Sequence, residues 1–382
     1  MGRFLRSQGS GVAVGTHLTD LIDWLNGAAF PLWWEKGADR QHGGFHEKLD
    51  QDGNPVPLPK RGRVLPRQIY AFSKARELGW QGDAAAAVRH GLDFYLAHYF
   101  RPDGLVRTLV AADGACLDDR ADFYDQAFAL LGLHSAYRVL GGTELVQRAR
   151  HLMAQWSATH KHPEIGFTDG GANPHMHLFE SCQAWSETDP SGPWAGIADE
   201  ICALALKYLI DAKSGALREF FAADWTPLPG EQGRIVEPGH QFEWGWLLMR
   251  WGRLRGNELA VKAGLRLVEI GETHGVDAKR GVAFNSLLDD FTHHDFRARL
   301  WPQTERLKAH CLAAEIVGGD HRALAEKSAA GLMLYLDTKI PGLWLDMLGE
   351  QGGFTQEPAP ASSFYHIVCA IAEYQRSVSA GR

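Results

Sequence analysis

Two short stretches of the chain set a histidine three residues ahead of a glutamate: His177 and Glu180 in NPHMHLFE (173–180), and His240 and Glu243 in EPGHQFEWGW (237–246). Side chains three apart share a helix face, so each pair can point inward together. Chemically loaded groups recur in Arg67 of LPRQIYAF, Tyr124 and Asp125 of FYDQAF, Asn173 and His175 beside His177, Trp301 and Glu305 of WPQTE, and Tyr365 and His366 of SSFYHI. Three chemistries compete for such a set. Inward Glu and His also build di-iron sites in helical bundles. Those sites use Glu-x-x-His, the opposite order, and two further helices must each add a carboxylate, for which only Asp125 and Glu305 are to spare. Asp125, Glu180, Glu243 and Glu305 could supply the two carboxylates of a glycoside hydrolase, yet that reaction has no use for several imidazoles. Histidine titrates near neutrality and can both take and return a proton at pH 7. Histidines with neighbouring glutamates, tryptophans and an arginine therefore describe a site that moves protons on a neutral polyol, as in sugar isomerisation or epimerisation. A carbohydrate-binding toroid without catalysis would need no pair of imidazoles. His175, two residues from His177, diverges from it on a helix and is expected off the active face.

Something must hold these residues together, and the chain offers helices. Periodicity and capping signals predict twelve, near 17–36, 66–79, 83–100, 121–140, 143–158, 174–186, 193–212, 240–255, 257–274, 302–318, 320–337 and 362–378. Short links make antiparallel neighbours, so the long connections 37–65, 101–120, 159–173, 213–239, 275–301 and 338–361 all fall at one end. Stretches such as GGFHEKLDQDGNPVP (43–57) and FRPDGLVRTLVAADGA (100–115) carry hairpin signals and predict small β-ribbons on that rim. The loaded residues lie just before, or in the first turns of, the even-numbered helices, at the same end. Any one of them could be packing or a cap, but recurrence in six hairpins favours a shared funnel. The expected fold is all-α: an (α/α)6 barrel, a toroid of six helical hairpins with small β-ribbons in the long loops on one rim. An open α-solenoid is the alternative, although such repeats usually show self-similarity, and none is visible here. One catalytic domain is expected over 17–382, preceded by a flexible N-terminal segment, 1–16.

Composition narrows the partners. With 382 residues, 45% hydrophobic and 22% charged, the chain has globular averages. A net charge of -7 gives no electrostatic reason to seek phosphate backbones or anionic lipid, so neither nucleic acid nor membrane is expected. No run of 18 uncharged apolar residues is present, and MGRFLRSQGSGVAVGT (1–16) lacks the apolar core of a secretory signal. Five cysteines, Cys116, Cys182, Cys202, Cys311 and Cys369, are odd in number and in no zinc-like spacing, which fits a reducing cytoplasm. Thirteen tryptophans suit a protein that stacks rings on a ligand. The expected ligand is a small sugar, with no cofactor and no metal; a homodimer is the possible assembly.

At the same residues the chain resembles the N-acylglucosamine 2-epimerase family. The matching stretches are QHGGFHEKLDQDG (41–53), PRQIYAF (66–72), YDQAFALL (124–131), NPHMHLFE (173–180), EPGHQFEWGWLL (237–248), WPQTE (301–305) and SSFYHI (362–367), in family order across nearly the whole chain. The resemblance implies an (α/α)6 barrel and metal-independent proton transfer at C2 of an aldose. It makes His240 and His366 the acid/base pair, and Arg67 a ligand of the sugar oxygens near the reacting carbons. His177 becomes a substrate-binding histidine, grouped with Asn173 and Glu180. Glu243 becomes the glutamate that orients the EPGH histidine, Trp246 and Trp301 the sugar-stacking rings, and Glu305 the acid of the WPQTE segment. One departure matters: many members, especially disaccharide epimerases, carry two tryptophans before the PQ step, and here Leu300 precedes Trp301. That favours a monosaccharide, with mannose to fructose isomerisation expected and 2-epimerisation of mannose, glucose or an N-acylhexosamine as the alternative. Arg61, Arg63, Arg234, Arg297 and Arg299 lie in or beside long loops and could hold a phosphate or sulfonate, although loop arginines are more often solvated. No GxxxxGK[ST] stretch supports an effector nucleotide.

Overall fold

The computed structural model describes residues 15–162, 164–168 and 171–380. Each of the twelve predicted helical stretches is occupied: α1 (18–37), α2 (Val64–Ala75), α3 (Ala84–His98), α4 (Phe123–Leu140), α5 (Thr143–His160), α6 (Ala172–Thr188), α7 (194–209), α8 (Pro238–Arg255), α9 (Glu258–Gly275), α10 (Leu300–Val317), α11 (His321–Leu336) and α12 (Ala361–Ala380). Local signals set several boundaries. Asp83, Asp122 and Asn257 accept hydrogen bonds from backbone amides of the first turns of α3, α4 and α9, as capping residues do. Gly256 ends α8 at φ 66°, a left-handed conformation that suits glycine. Helix α1 is less regular than predicted. It slips into π turns at Leu25–Ala29 and Trp33–Gly37 on either side of Pro31, whose missing N–H interrupts the hydrogen-bond ladder.

Burial separates two kinds of helix. Outer α5 buries one stripe, Leu145, Ala149, Leu152, Met153 and Trp156, the spacing of a helix with one dry face. Inner α4 buries residues on every side, including Asp125, Gln126, Phe128, Leu131 and Ser135. The even helices pack in a closed circuit, α2 on α4, α4 on α6, α6 on α8, α8 on α10, α10 on α12 and α12 on α2. The result is the expected (α/α)6 barrel; the open solenoid is set aside because α12 returns to α2.

The long connections meet on one rim, as the alternation of link lengths requires, and small ribbons are present. Their pairing is less local than predicted. Hairpins within single loops join Leu109–Val110 to Cys116–Asp118, Lys161–His162 to Gly166–Phe167, Val276–Asp277 to Val282–Ala283 and Ser286–Leu288 to His293–Asp295, but Leu109–Val110 also pairs with Lys60–Arg61 of the preceding loop. Lys48–Leu49 pairs with Ala359–Pro360, Ile235–Val236 with Ser286–Leu288, and Ala298–Arg299 with Met347–Leu348. Strands of two or three residues have too little ladder to stand alone, and they gain partners from neighbouring loops around the rim. A repeated glutamine adds to this. Gln126, Gln241 and Gln303, one on each of α4, α8 and α10, each accept from a loop amide and donate to the same residue's carbonyl, on Val106, Leu217 and Ala283 respectively, at 2.7–2.9 Å. The N-terminal boundary differs in detail: the Gly15 and Thr16 amides donate to Glu326 at 2.6 and 3.1 Å, and residues 1–14 of the predicted flexible segment lie outside the described residues.

Candidate active site

A cavity of about 340 Å³ opens at the ribbon-bearing rim, lined among others by Arg67, Tyr124, Asn173, His177, His240, Trp301 and His366. That volume is near the low end for small-molecule sites. His240 sits in the first turn of α8, entered through extended Glu237 and Pro238 at the helix start. Gly239 is needed there, since a Cβ would stand 2.4 Å from the Trp301 ring. His366 lies in the second turn of α12. Both imidazoles lean on Trp301, with ring centroids 4.9 Å away for His240 and 5.8 Å for His366.

The two histidines differ in charge. His240 Nδ1 lies 2.7 Å from Glu219 Oε2 and 3.8 Å from Glu237. Burial alone would lower its pKa, but Glu219, Glu237 and Glu243 outweigh burial and raise it to about 9. It is an imidazolium at neutral pH. His366 Nδ1 lies 2.9 Å from Glu305 Oε1; burial pulls its pKa below 6.5 against the pull of Glu305, helped by Arg67 and Lys308. It is neutral. Two titratable groups pushed apart in one cavity supply an acid and a base at the same pH.

Arg67 is buried, donates to the Tyr124 hydroxyl at 2.6 Å and lies 4.0 Å over the Phe128 ring, so its guanidinium has little freedom. His177 is pushed down to about 3, mainly by burial, and remains a neutral donor or acceptor. Asn173 Oδ1 is buried without a partner, as expected of a group that awaits a ligand hydroxyl.

Four of the expected substrate residues lie elsewhere or act differently. Glu180 is below His177, its carboxylate 3.4 Å from the ring and bonded by the Tyr365 hydroxyl, and it does not line the cavity. Glu305 is fully buried behind His366 and touches the ring, not the cavity. Trp246, expected to stack a sugar, lies six residues beyond His240, about 9 Å along the axis at 1.5 Å per residue. It lines a second cavity of about 240 Å³ with Tyr70, His134 and Arg250. Glu243 lines the cavity but is not the partner of the EPGH histidine. That partner is Glu219, carried by the loop before α8 and brought in by the Gln241 clamp on Leu217. Burial and the charge of Glu305 hold the Glu243 carboxyl well above the usual range.

Glu219 had no signal in the sequence, because REFF (218–221) has no motif and lies 21 residues from His240. Lys48, Arg61, Arg299 and Asp346 also line the cavity. Arg61 is held by Glu47 at 2.7 Å and Arg299 by Glu237 at 3.2 Å. Arg63, Arg234 and Arg297 pair with Asp125, Asp289 and Asp295 away from it. His175 is fully buried, its ring nitrogens facing the Gly171 and Phe167 carbonyls at 2.8 and 3.2 Å, off the active face as expected. Two donor groupings are close enough for a cation, His177 with Glu180 and Glu243, and Glu243 with Glu305 and His366, their atoms within 4.8 Å. Lys308 already stands 2.7 Å from Glu305, and its ammonium supplies positive charge at that point.

The comparisons agree with this fold. The family model described as N-acylglucosamine 2-epimerase (GlcNAc 2-epimerase) matches residues 43–370. The chain is 47% identical over 380 residues to a protein of Rhizobium meliloti (strain 1021) named mannose-6-phosphate isomerase, covering 96% of this chain and 98% of that one. The fold matches that of cellobiose 2-epimerase from Bacillus thermoamylovorans B4167, with TM-score 0.86 at 19% identity over 95% of this chain and all of that one. A solved D-mannose isomerase gives TM-score 0.84 at 18% identity, over 98% of this chain and all of the other. A barrel that closes on two imidazoles of opposite charge, a family match across most of its length and a full-length relative at 47% identity lead to one conclusion: the chain belongs to the N-acylglucosamine 2-epimerase family.

Proposed function

We propose that the chain is an aldose–ketose isomerase that interconverts free mannose and fructose through a cis-enediolate, with 17–382 as one catalytic domain. The observation that carries this reading is the pair His240 and His366, both against Trp301, one protonated and one neutral at pH 7. The pyranose lies over Trp301, and His240 as imidazolium protonates the ring oxygen as the C1–O5 bond breaks, while the anomeric O1–H proton passes back to His240 or to solvent and leaves the C1 aldehyde. His366 takes the C2 proton through its free Nε2. The electron pair moves into the C1–C2 bond and onto the carbonyl oxygen at C1, where Arg67 and His177 stand as donors for the developing oxyanion. The proton returns from His366 to C1 while the O2 hydroxyl proton moves to O1, leaving a carbonyl at C2. No bond to a leaving group is broken, which sets this chemistry apart from glycoside hydrolysis.

Leu300 is fully buried where a second tryptophan would extend the stacking surface, and this with the small cavity supports a monosaccharide. A phosphorylated sugar is the second reading, favoured by the name of the Rhizobium meliloti relative. Against it, Arg61 and Arg299 are already engaged by carboxylates, and Asp346 and Glu357 share the rim with Lys48. Among the described residues no helix is long and apolar enough to cross a membrane. The five free thiols support a cytoplasmic location, and the net charge of -7 supports a partner list without nucleic acid; a homodimer is the assembly to test by sizing.

The test is incubation of chelator-treated protein with mannose, mannose 6-phosphate, glucose and N-acetylmannosamine in D2O, followed by proton NMR. Fructose from free mannose, with part of the original hydrogen at C1 and full activity after chelation, is the expected result. Early glucose with deuterium at C2 and no fructose would make the protein a 2-epimerase. Turnover of the phosphate ester alone would replace the free-sugar reading.

A further inference from the structure

The floor beneath His366 holds a cation that no step above uses. Lys308 follows Glu305 by three residues on α10 and is fully buried, its Nζ 2.7 Å from Glu305 Oε2 and 4.3 Å from the centroid of the Trp246 ring. Glu305 has two oxygens and two jobs: Oε2 faces Lys308, and Oε1 faces His366 Nδ1 at 2.9 Å. An ionised carboxylate can only accept, so Nδ1 carries the ring hydrogen and Nε2 keeps the lone pair that a base requires. A protonated Glu305 would donate to Nδ1 instead, the hydrogen would sit on Nε2, and His366 could take no proton from a sugar.

The surroundings make Glu305 vulnerable to that change. Facing the floor are Glu180 from α6, Glu243 from α8, Glu305 from α10, Tyr365, His366 and Cys369 from α12 and Tyr70 from α2, with Arg67 and His177 above. Three buried carboxylates in a dry space share protons unless a cation balances them. We propose that Lys308 is a positioning residue: its ammonium keeps Glu305 ionised and thereby holds His366 in the Nδ1–H tautomer that accepts the substrate proton. The direction of the carboxyl titrations agrees. Burial works to raise Glu305, yet Lys308 and the His366 hydrogen bond hold it below the ordinary range, whereas Glu243, on which Lys308 and His240 also act, is driven up by burial and the charges of Glu305 and Glu180. The effect on turnover rests on the isomerase reading; the tautomer does not.

Three variants test it: Lys308→Met, Glu305→Gln and the double variant. Lys308→Met should lower kcat about 10²-fold at pH 7, in the range typical of general acid/base groups, with KM within about threefold. The deficit should shrink as rising pH ionises Glu305. The double variant should be no slower than Glu305→Gln alone, because Lys308 would act only through Glu305. A pH-independent deficit that adds to that of Glu305→Gln would overturn the proposal and leave Lys308 a packing residue. If Lys308→Met does not fold, the double variant, which buries no unpaired charge, is compared with Glu305→Gln: equal rates support the proposal and a further loss overturns it. ¹⁵N spectra of histidine-labelled protein, with His366 assigned by its loss in His366→Asn, give a readout without any sugar. The ring hydrogen should move from Nδ1 to Nε2 in Lys308→Met, and an unchanged tautomer overturns the proposal even if turnover falls. Absence of turnover in the parent protein with an intact tautomer switch would instead sink the isomerase reading alone.

Discussion

His240 and His366 occupy facing regions of one rim, each bonds a buried glutamate through Nδ1 and each leans on Trp301, yet they hold opposite charges. The difference lies in the charges around each pair: Glu237 and Glu243 reinforce Glu219 at His240, whereas Arg67 and Lys308 oppose Glu305 at His366. Glu219 has no lysine or arginine partner among the described residues, and its second oxygen is unpartnered, so its whole field acts on His240. The second oxygen of Glu305 is ion-paired with Lys308, and little field is left to charge His366 against the cost of burial. An imidazole–carboxylate pair thus has no fixed protonation state. Burial and the charges gathered around the pair decide it.

The largest effects should come from removing either imidazole. His366→Ala and His240→Ala should each lower kcat by about 10²- to 10⁴-fold, the span typical of positioned acids and bases, with circular dichroism unchanged; near-normal turnover in either variant would break the comparison. A sharper probe is the pH profile of kcat/KM. Activity should rise with pH as His366 loses its proton below 6.5 and fall as His240 loses its own near 9, which leaves a broad plateau between. Glu219→Gln removes the charge that holds His240 high. The alkaline limb should move down from about 9 toward 6.5, and at pH 8 a fall of two units in that pKa leaves the acid about tenfold less populated. An alkaline limb that stays put would show that Glu219 does not set this charge.

The same contrast predicts opposite slopes of stability with pH. His240, raised above its unfolded value, stabilises fully below about 6.5, and that contribution is lost as pH rises through about 9. His366, lowered, costs stability as pH falls below 6.5. Thermal melts should therefore show an alkaline decline that disappears in His240→Asn. The smallest effect on turnover should belong to His175→Ala, with kcat within about threefold, while the loss of a buried ring and its carbonyl contacts lowers stability by about 2–3 kcal/mol. A kcat loss equal to that of His177→Ala would mean that the wrong histidine of HMH has been assigned to the cavity.

Much of the architecture was legible locally. Asp122 before FYDQAF and Asn257 before the next helix announce starts, Gly256 announces a stop, and alternating link lengths place the long loops together. Those signals are local because capping and periodicity act over three to four residues, and from them the barrel and its rim follow; the choice of His240 and His366 as the pair came from the family resemblance. The repeated glutamine of YDQ, GHQ and WPQ was visible as a residue, but its clamp on loop backbone was not. Only the tertiary structure decided which glutamate serves which histidine. Glu243 shares a helix with His240 and seemed its natural partner, yet Glu219 arrives from a loop ordered by Gln241. Trp246 follows the EPGH turn in sequence but is carried by the rise of the helix to the far side of the floor. Nothing in the sequence singles out Lys308, which ring closure buries along with every face of α10. Charge and distance across the barrel depend on which helices become neighbours, and that is set by closure of the whole ring, not by spacing along any one segment.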